Sequence, residues 1–289
     1  MSLSYHHFAQ LDSTNAYLQR QQSEYDIRNW VVSADEQTAG KGMGSNGWES
    51  EVGKNLTFSL ALDVSFLPAE RQFLLSEAVP LGILEVLNGL LSDSFEGIDS
   101  NRTASARNDM PSKPAEKLSI KWPNDIFYEN RKLAGILINS TIKANMMDVS
   151  IIGIGLNVNQ MHFQDWPTHP ISMKMITGKD YDLQPLLEQI AEQILIKVEQ
   201  LKSDPTVIEQ NYLQRLFRYR TWADYEVDGK VLRLFMTGID SFGRLMLVDE
   251  ADNSYCFDIK EIKYILNSIC RSKPAGPCAI PSRAAHPLR

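Results

Sequence analysis

The run from Ser119 to Ile138, Ser-Ile-Lys-Trp-Pro-Asn-Asp-Ile-Phe-Tyr-Glu-Asn-Arg-Lys-Leu-Ala-Gly-Ile-Leu-Ile, constrains the fold more than any other stretch. Ser119 and Ile120 approach as a strand. Pro123 biases Trp122 toward an extended backbone by steric exclusion of the helical region. Ile126, Phe127 and Tyr128 form a short apolar run, Glu129-Asn130-Arg131 turns the chain, and Leu133 to Ile138 returns as a buried strand. A sheet is therefore required here, and it fixes Lys121, Asp125 and Lys132 near one another on rigid elements. Two ammonium groups beside a carboxylate suit an anionic substrate, with the carboxylate available to a metal or a ribose hydroxyl. The competing reading is a surface hairpin whose charges are merely solvated.

Upstream, Leu11 to Leu18 reads as a strand end running into a helix. Ser13 or Asp12 is placed to cap it, because a side-chain oxygen there accepts a free helical N–H; a hydroxyl presented to a ligand is the other role open to Ser13. Trp30 to Ala34 reads as a strand. It leads into a loop, Asp35 to Trp48, with four glycines between 40 and 47. Gly42-Met-Gly-Ser-Asn-Gly47 has the form of a dinucleotide fingerprint, but that motif must open a helix. Here the alternating Leu56, Phe58, Leu60 and Leu62 announce a strand. Residues 70–91 are patterned as an apolar helix that Pro80 should kink or divide. Residues 97–116 are polar and aperiodic, an expected mobile insertion. Val149 to Asn159 is a strand in which Gly153 and Gly155 leave room for a ligand or another backbone. Asp182 should cap a helix to about Leu201, and Asp204-Pro205 should start another ending near Phe217 or Arg218. From Thr221 the pattern turns to short strands with Asp228-Gly229, Gly243 and Asp252-Asn253 as turns, which suits a small barrel.

Composition bounds the function classes. With 289 residues, 43% of them hydrophobic, there is material for one large domain and a small one. A net charge of −7 disfavours nonspecific nucleic-acid binding as the main task. No unbroken apolar run approaches 18 residues, so no spanning helix is expected, and the first residues lack the pattern of a signal peptide. Cys256, Cys270 and Cys278 have no metal spacing, which points to a reducing cytoplasm without structural disulfides.

Taken together these stretches resemble the biotin–protein ligases (biotin–[acetyl-CoA-carboxylase] ligases) of the short bacterial type. The resemblance rests on Asp12-Ser-Thr-Asn15, Gln37-x-Ala-Gly40 with the glycine-rich loop to Trp48, Lys121-Trp-Pro-Asn-Asp125, Lys132-Leu-Ala-Gly-Ile-Leu137 and Gly153-Ile-Gly-Leu-Asn157. It covers about residues 4–267. It implies an α+β fold: a class II synthetase-like mixed-sheet catalytic domain over 1–219, an SH3-like β-barrel over 220–268, and a tail over 269–289 without fixed structure. It implies that biotin and MgATP give biotinyl-5′-AMP, which acylates a lysine of the biotin carboxyl carrier protein of acetyl-CoA or a related carboxylase. Lys132, Lys41 and Asp125 would be the catalytic residues. Ser13, Thr14, Asn15, Gln37, Gly40, Lys41, Gly42, Met43, Lys132 and Gly135 would line the biotin site. Trp48, Lys121, Asn124, Asp125 and Asn157 would serve ATP, with Asp125 also the magnesium contact. The charges make chemical sense, because a carboxylate attacking an α-phosphate needs fixed cations.

The resemblance has gaps. The family loop reads Gly-Arg-Gly-Arg-x-Gly-Arg; here Lys41 stands for the first arginine and Met43 for the second, so one charged clamp is missing and bidentate geometry is lost. Only about ten residues precede Ser13, too few for the DNA-binding domain of some family members, so specific DNA is not an expected partner, and neither is a membrane. A homodimer remains open. A lipoate–protein ligase shares the related fold and chemistry, and a non-catalytic biotin or carrier-binding protein is the alternative of a different class.

Overall fold

The computed structural model describes residues 2–42, 47–96, 117–164 and 169–266. The expected insertion at 97–116, the tail, Met43, Cys270 and Cys278 lie outside the described residues.

Seven strands build the main sheet: β1 (Ser4–Leu11), β2 (Trp30–Gln37), β3 (Leu56–Asp63), β4 (Leu118–Lys121), β5 (Asp125–Tyr128), β6 (Arg131–Lys143) and β7 (Met146–Leu156). Their order is β1-β2-β3-β7-β6-β5-β4. β1 and β2 run parallel, joined through helix α1 (Thr14–Gln21), and the remaining neighbours are antiparallel, so the sheet is mixed. β3 and β7 are buried almost throughout, which is why Leu56-Thr-Phe-Ser-Leu-Ala-Leu62 carries few polar residues for its length.

Each face is covered by its own helices. Leu18 of α1 packs with Ile27, Val32, Ala61, Val149 and Ile151 on one side. On the other side lie α2 (Phe73–Glu96), α4 (Leu183–Ser203) and α5 (Pro205–Arg215), with the short α3 (Met173–Thr177) beside them. α2 runs on through Pro80 as one element, so the expected division does not occur. Its segment Phe73–Ser92, with mean hydropathy 1.5, is long and apolar enough to cross a membrane, contrary to the expectation from unbroken runs; it is 72% buried in this fold. Its all-round hydrophobicity serves two partners, the sheet and α4. Asp182 precedes α4 but makes no capping bond, whereas Asp204 accepts from Val207 N at 3.2 Å and caps α5, which ends at Arg215 rather than Phe217.

The chain finishes in a second sheet: β8 (Trp222–Val227), β9 (Lys230–Ile239), β10 (Leu245–Val248), β11 (Ser254–Phe257) and β12 (Lys263–Tyr264), ordered β11-β10-β9-β8-β12. Among the described residues no ladder joins β11 to β12, so the expected barrel is seen as a five-stranded antiparallel sheet. Ala223, Tyr225, Leu234, Met236 and Leu247 belong to the same apolar cluster as the main sheet and α2.

Candidate active site

The hairpin singled out in the sequence forms as β4 and β5, followed by a Glu129-Asn130 turn into β6. Asp125 opens β5 and pairs in register with Gly135 of β6. Lys132, at the start of β6, reaches back to Asp125, and its Nζ lies 2.8 Å from Oδ1. A β-carbon on Gly135 would stand 3.1 Å from that Nζ, so glycine there lets the ammonium fold over the sheet. Both side chains line a cavity of about 160 Å³.

Gly135 pairs with Gly155 across β6 and β7, giving a flat spot in the sheet. Trp48 lies on it. A β-carbon on Gly155 would sit 2.2 Å from Trp48 Cε2, so no other residue allows this approach. The indole also has the Lys132 ammonium 5.7 Å from its centroid, and its Nε1 is buried without a partner. The loop that carries Trp48 is pinned at its base. Trp48 N donates to Gly40 O at 3.0 Å, and Lys41 pairs with Gly47 in an antiparallel bridge. Lys41, Gly42 and Gly47 join the cavity wall.

Two residues back along β7, or roughly 6–7 Å by strand rise, Gly153 marks the other end of the cavity. Here the first turn of α1 contributes its polar groups. Ser13 caps the helix, accepting from Ala16 N at 3.4 Å, and is buried. Thr14 N and Oγ1 both donate to Gln37 Oε1, at 2.8 and 3.2 Å, which orients the Gln37 amide and leaves its Nε2 as a donor. Thr14 Oγ1 also shares a hydrogen bond with Ser59 Oγ at 2.8 Å. Asn15 Oδ1 accepts from Gln19 at 3.1 Å and Asn139 at 2.9 Å, while its Nδ2 is a buried donor with no partner. This end can satisfy a neutral head carrying both N–H and C=O groups. The Lys132 end can meet a carboxylate or phosphate. Phe58, Ile136 and the indole bridge them with apolar surface.

Most residues proposed from the sequence come together in this way: Ser13, Thr14, Asn15, Gln37, Lys41, Gly42, Trp48, Asp125, Lys132 and Gly135. Others do not line the cavity. Lys121, expected to serve ATP, lies off this wall: its side chain runs to the second sheet and sets its ammonium 4.7 Å from the Tyr264 centroid and 5.6 Å from that of Phe127. Burial pulls this ammonium below its ordinary value; Asp125 opposes the shift, and Lys132 and Arg218 reinforce it. Asn124 and Asn157 spend their amides on backbone. Asn124 Nδ2 donates to Ile136 O at 2.5 Å, and Asn157 Nδ2 donates to Ile171 O at 3.1 Å and Lys132 O at 3.4 Å. Gly40 holds the loop base. The sequence reading missed Ser59 and Phe58, which look like ordinary core alternation in a strand.

A mixed sheet thus brings a glycine platform, a helix-start polar pocket and a lysine–aspartate pair to one cavity. The family model of the biotin/lipoate A/B protein ligases matches residues 7–157, a little over half of the chain, and the chain belongs to that family. Among curated relatives, the biotin–[acetyl-CoA-carboxylase] ligase of Mycobacterium tuberculosis is 31% identical over 153 residues, covering 53% of this chain and 48% of that protein. The bifunctional ligase/repressor BirA of Escherichia coli is 31% identical over 148 residues, covering 51% and 38%. The chain thus spans about half or less of the length of these relatives. In structure it is similar to the biotin protein ligase from Aquifex aeolicus in complex with biotin and ATP, with a TM-score of 0.67, 20% identity, and coverage of 90% of this chain and 97% of that one.

Proposed function

We propose that the chain activates biotin with ATP to biotinyl-5′-AMP and pyrophosphate, then transfers biotin to a lysine of a biotin carboxyl carrier protein. The observation that carries this reading is the single cavity that joins the α1 polar pocket to the Lys132–Asp125 pair. A fused ureido ring presents one carbonyl and two N–H groups, which match the Gln37 and Asn15 amides and the Ser13 and Thr14 hydroxyls. A dithiolane has no such groups and would leave the buried Asn15 Nδ2 donor unpaired, which favours biotin over lipoate. Lys132 would hold the biotin carboxylate and the α-phosphate together, offsetting the repulsion between two anions. Lys41, at the loop base, would add a second cation, and Trp48 would cover the adduct.

Magnesium, if bound with ATP, would neutralise phosphate charge. Among the described residues no three His, Cys, Asp or Glu groups converge; Asp125, at the cavity wall, would offer it a single carboxylate, with phosphates the rest. The pairing of Asp125 with Lys132 balances both charges. The division at about residue 220, with the last five strands forming an SH3-like barrel, is part of the same reading.

The test is incubation with ATP and an equimolar mixture of biotin and lipoate, with a carboxyl carrier domain present, followed by intact mass. Addition of biotin alone to one carrier lysine is expected. Lipoyl addition would overturn the substrate assignment, and an unmodified carrier would overturn the ligase reading.

A further inference from the structure

Asp125 follows three residues, Trp122-Pro123-Asn124, and each is tied by one hydrogen bond to a different element. Asn124 is held within the sheet, by Ile136 O. Pro123 O accepts from Tyr212 Oη of α5 at 2.9 Å, and Tyr212 is wholly buried. Trp122 Nε1 donates to Gly243 O at 2.8 Å, and Gly243 lies in the turn between β9 and β10 of the second sheet. That turn is itself seated. Gly243 has φ +87°, and a β-carbon there would fall 2.1 Å from Phe73 Cδ2, so the turn rests on the first residue of α2. A second contact from the same sheet, Tyr264 on the Lys121 ammonium, flanks the hairpin on its other strand.

We propose that Trp122 is a positioning residue through which the C-terminal sheet sets Asp125 against Lys132, so that this sheet controls the ATP-dependent step and not the binding of biotin. The inference rests on the ligase reading above. The selectivity follows from placement. The polar end of the cavity is built by α1, β2, β3 and β7, whereas the anchored hairpin belongs to the Lys132 end. Trp122 lines no part of the cavity and is 3% exposed, so it acts only through the backbone it anchors. An indole ring alone would fill the same core volume. What the N–H adds is a fixed distance between two sheets, and a shift of the order of 1 Å in a reacting group is enough to cost about 100-fold in rate.

Trp122→Phe keeps an aromatic ring in the core and deletes the donor, together with part of the indole's volume. Gly243→Ala disturbs the acceptor from the far side without touching the hairpin. Trp222→Phe, on β8 and 36% exposed, is the control. Each is assayed for biotin-dependent pyrophosphate–ATP exchange and for biotin affinity by calorimetry, well below its melting temperature. Trp122→Phe is expected to lower kcat/KM for ATP by about 10–100-fold. Biotin Kd should stay within about twofold, Gly243→Ala should reproduce this split, and the control should change neither. Unaltered kcat/KM for ATP in Trp122→Phe overturns the proposal, as does a loss of biotin affinity in parallel with ATP turnover, which is the mark of general loosening. If Trp122→Phe does not fold, Gly243→Ala decides on the same criteria. A wild-type protein without exchange refutes the ligase reading and this inference with it, whereas an active wild type with unaltered variants refutes this inference alone.

Discussion

Lys132 and Asp125 are each about one-fifth exposed, and their side chains pair at 2.8 Å. An ion pair in that setting adds little to stability by itself, so its worth lies in what the ammonium meets when substrate arrives. Lys132→Ala is expected to lower pyrophosphate exchange by about 10²–10³-fold, or ~2.7–4 kcal/mol of transition-state stabilisation if the ammonium acts like a lost oxyanion donor. Thermal unfolding should barely move. Near-normal exchange would remove Lys132 from the reaction. A different residue carries a pH signal. Glu77 of α2 is 6% exposed, and its Oε2 has no partner. Burial, and then the Glu209 charge, push its carboxyl up to about 8 from an ordinary 4.5, with Arg71 opposing. The folded state therefore keeps a proton that the unfolded chain releases above 4.5. This contribution to stability is complete below that value and is lost as pH rises through about 8. A tenfold difference in proton affinity between the two states is worth ~1.36 kcal/mol, so the loss amounts to a few kcal/mol. Glu77→Gln mimics the protonated acid, and it should gain on the wild type in urea midpoint between about pH 5 and 9. A constant difference across that range would show that Glu77 does not titrate on unfolding.

At the scale of elements, the site is made where a helix start, a glycine-bearing strand and a hairpin meet. The hairpin strands, the Ser13 cap and the room left by Gly153 and Gly155 were legible in the sequence because each rests on local chemistry: short apolar runs bounded by turn residues, a side-chain cap, and a missing Cβ. Local chemistry does not say where a long side chain goes. Lys121 and Lys132 looked equivalent beside Asp125, yet one crosses to Tyr264 and the other folds over Gly135. Asn124 and Asn157 looked like ligand groups, but the backbone carbonyls of Ile136 in β6 and Ile171 just before α3 claim their amides. The unbroken course of α2 through Pro80 likewise reflects packing against the sheet and α4, which propensity does not contain. Gly155→Ala tests the platform directly. Its methyl group would collide with the indole, so the loop base must lift. We expect a loss of ~1–3 kcal/mol in adduct binding with the melting temperature nearly preserved. Retained affinity for biotinyl-5′-AMP would show that Trp48 does not cover it.

For the whole molecule, the two sheets share one apolar cluster that runs from β3 and α2 to Tyr225, Leu234 and Leu247. The boundary proposed near residue 220 would thus be a topological division more than a mechanical one. We expect a single calorimetric unfolding transition with matching van't Hoff and calorimetric enthalpies; two resolved transitions would mean that the sheets are stable separately. One feature of the cavity also gives the molecule a voice of its own. Of the five tryptophans, Trp48 has its ring against a charged ammonium, with its N–H buried and unspent. The emission of such an indole responds to any change in the field across it. When an anion draws the Lys132 ammonium away, the fluorescence of this one residue should shift, and Trp48→Phe should silence the change. Occupancy of the site would then be readable as light, from the unlabelled protein.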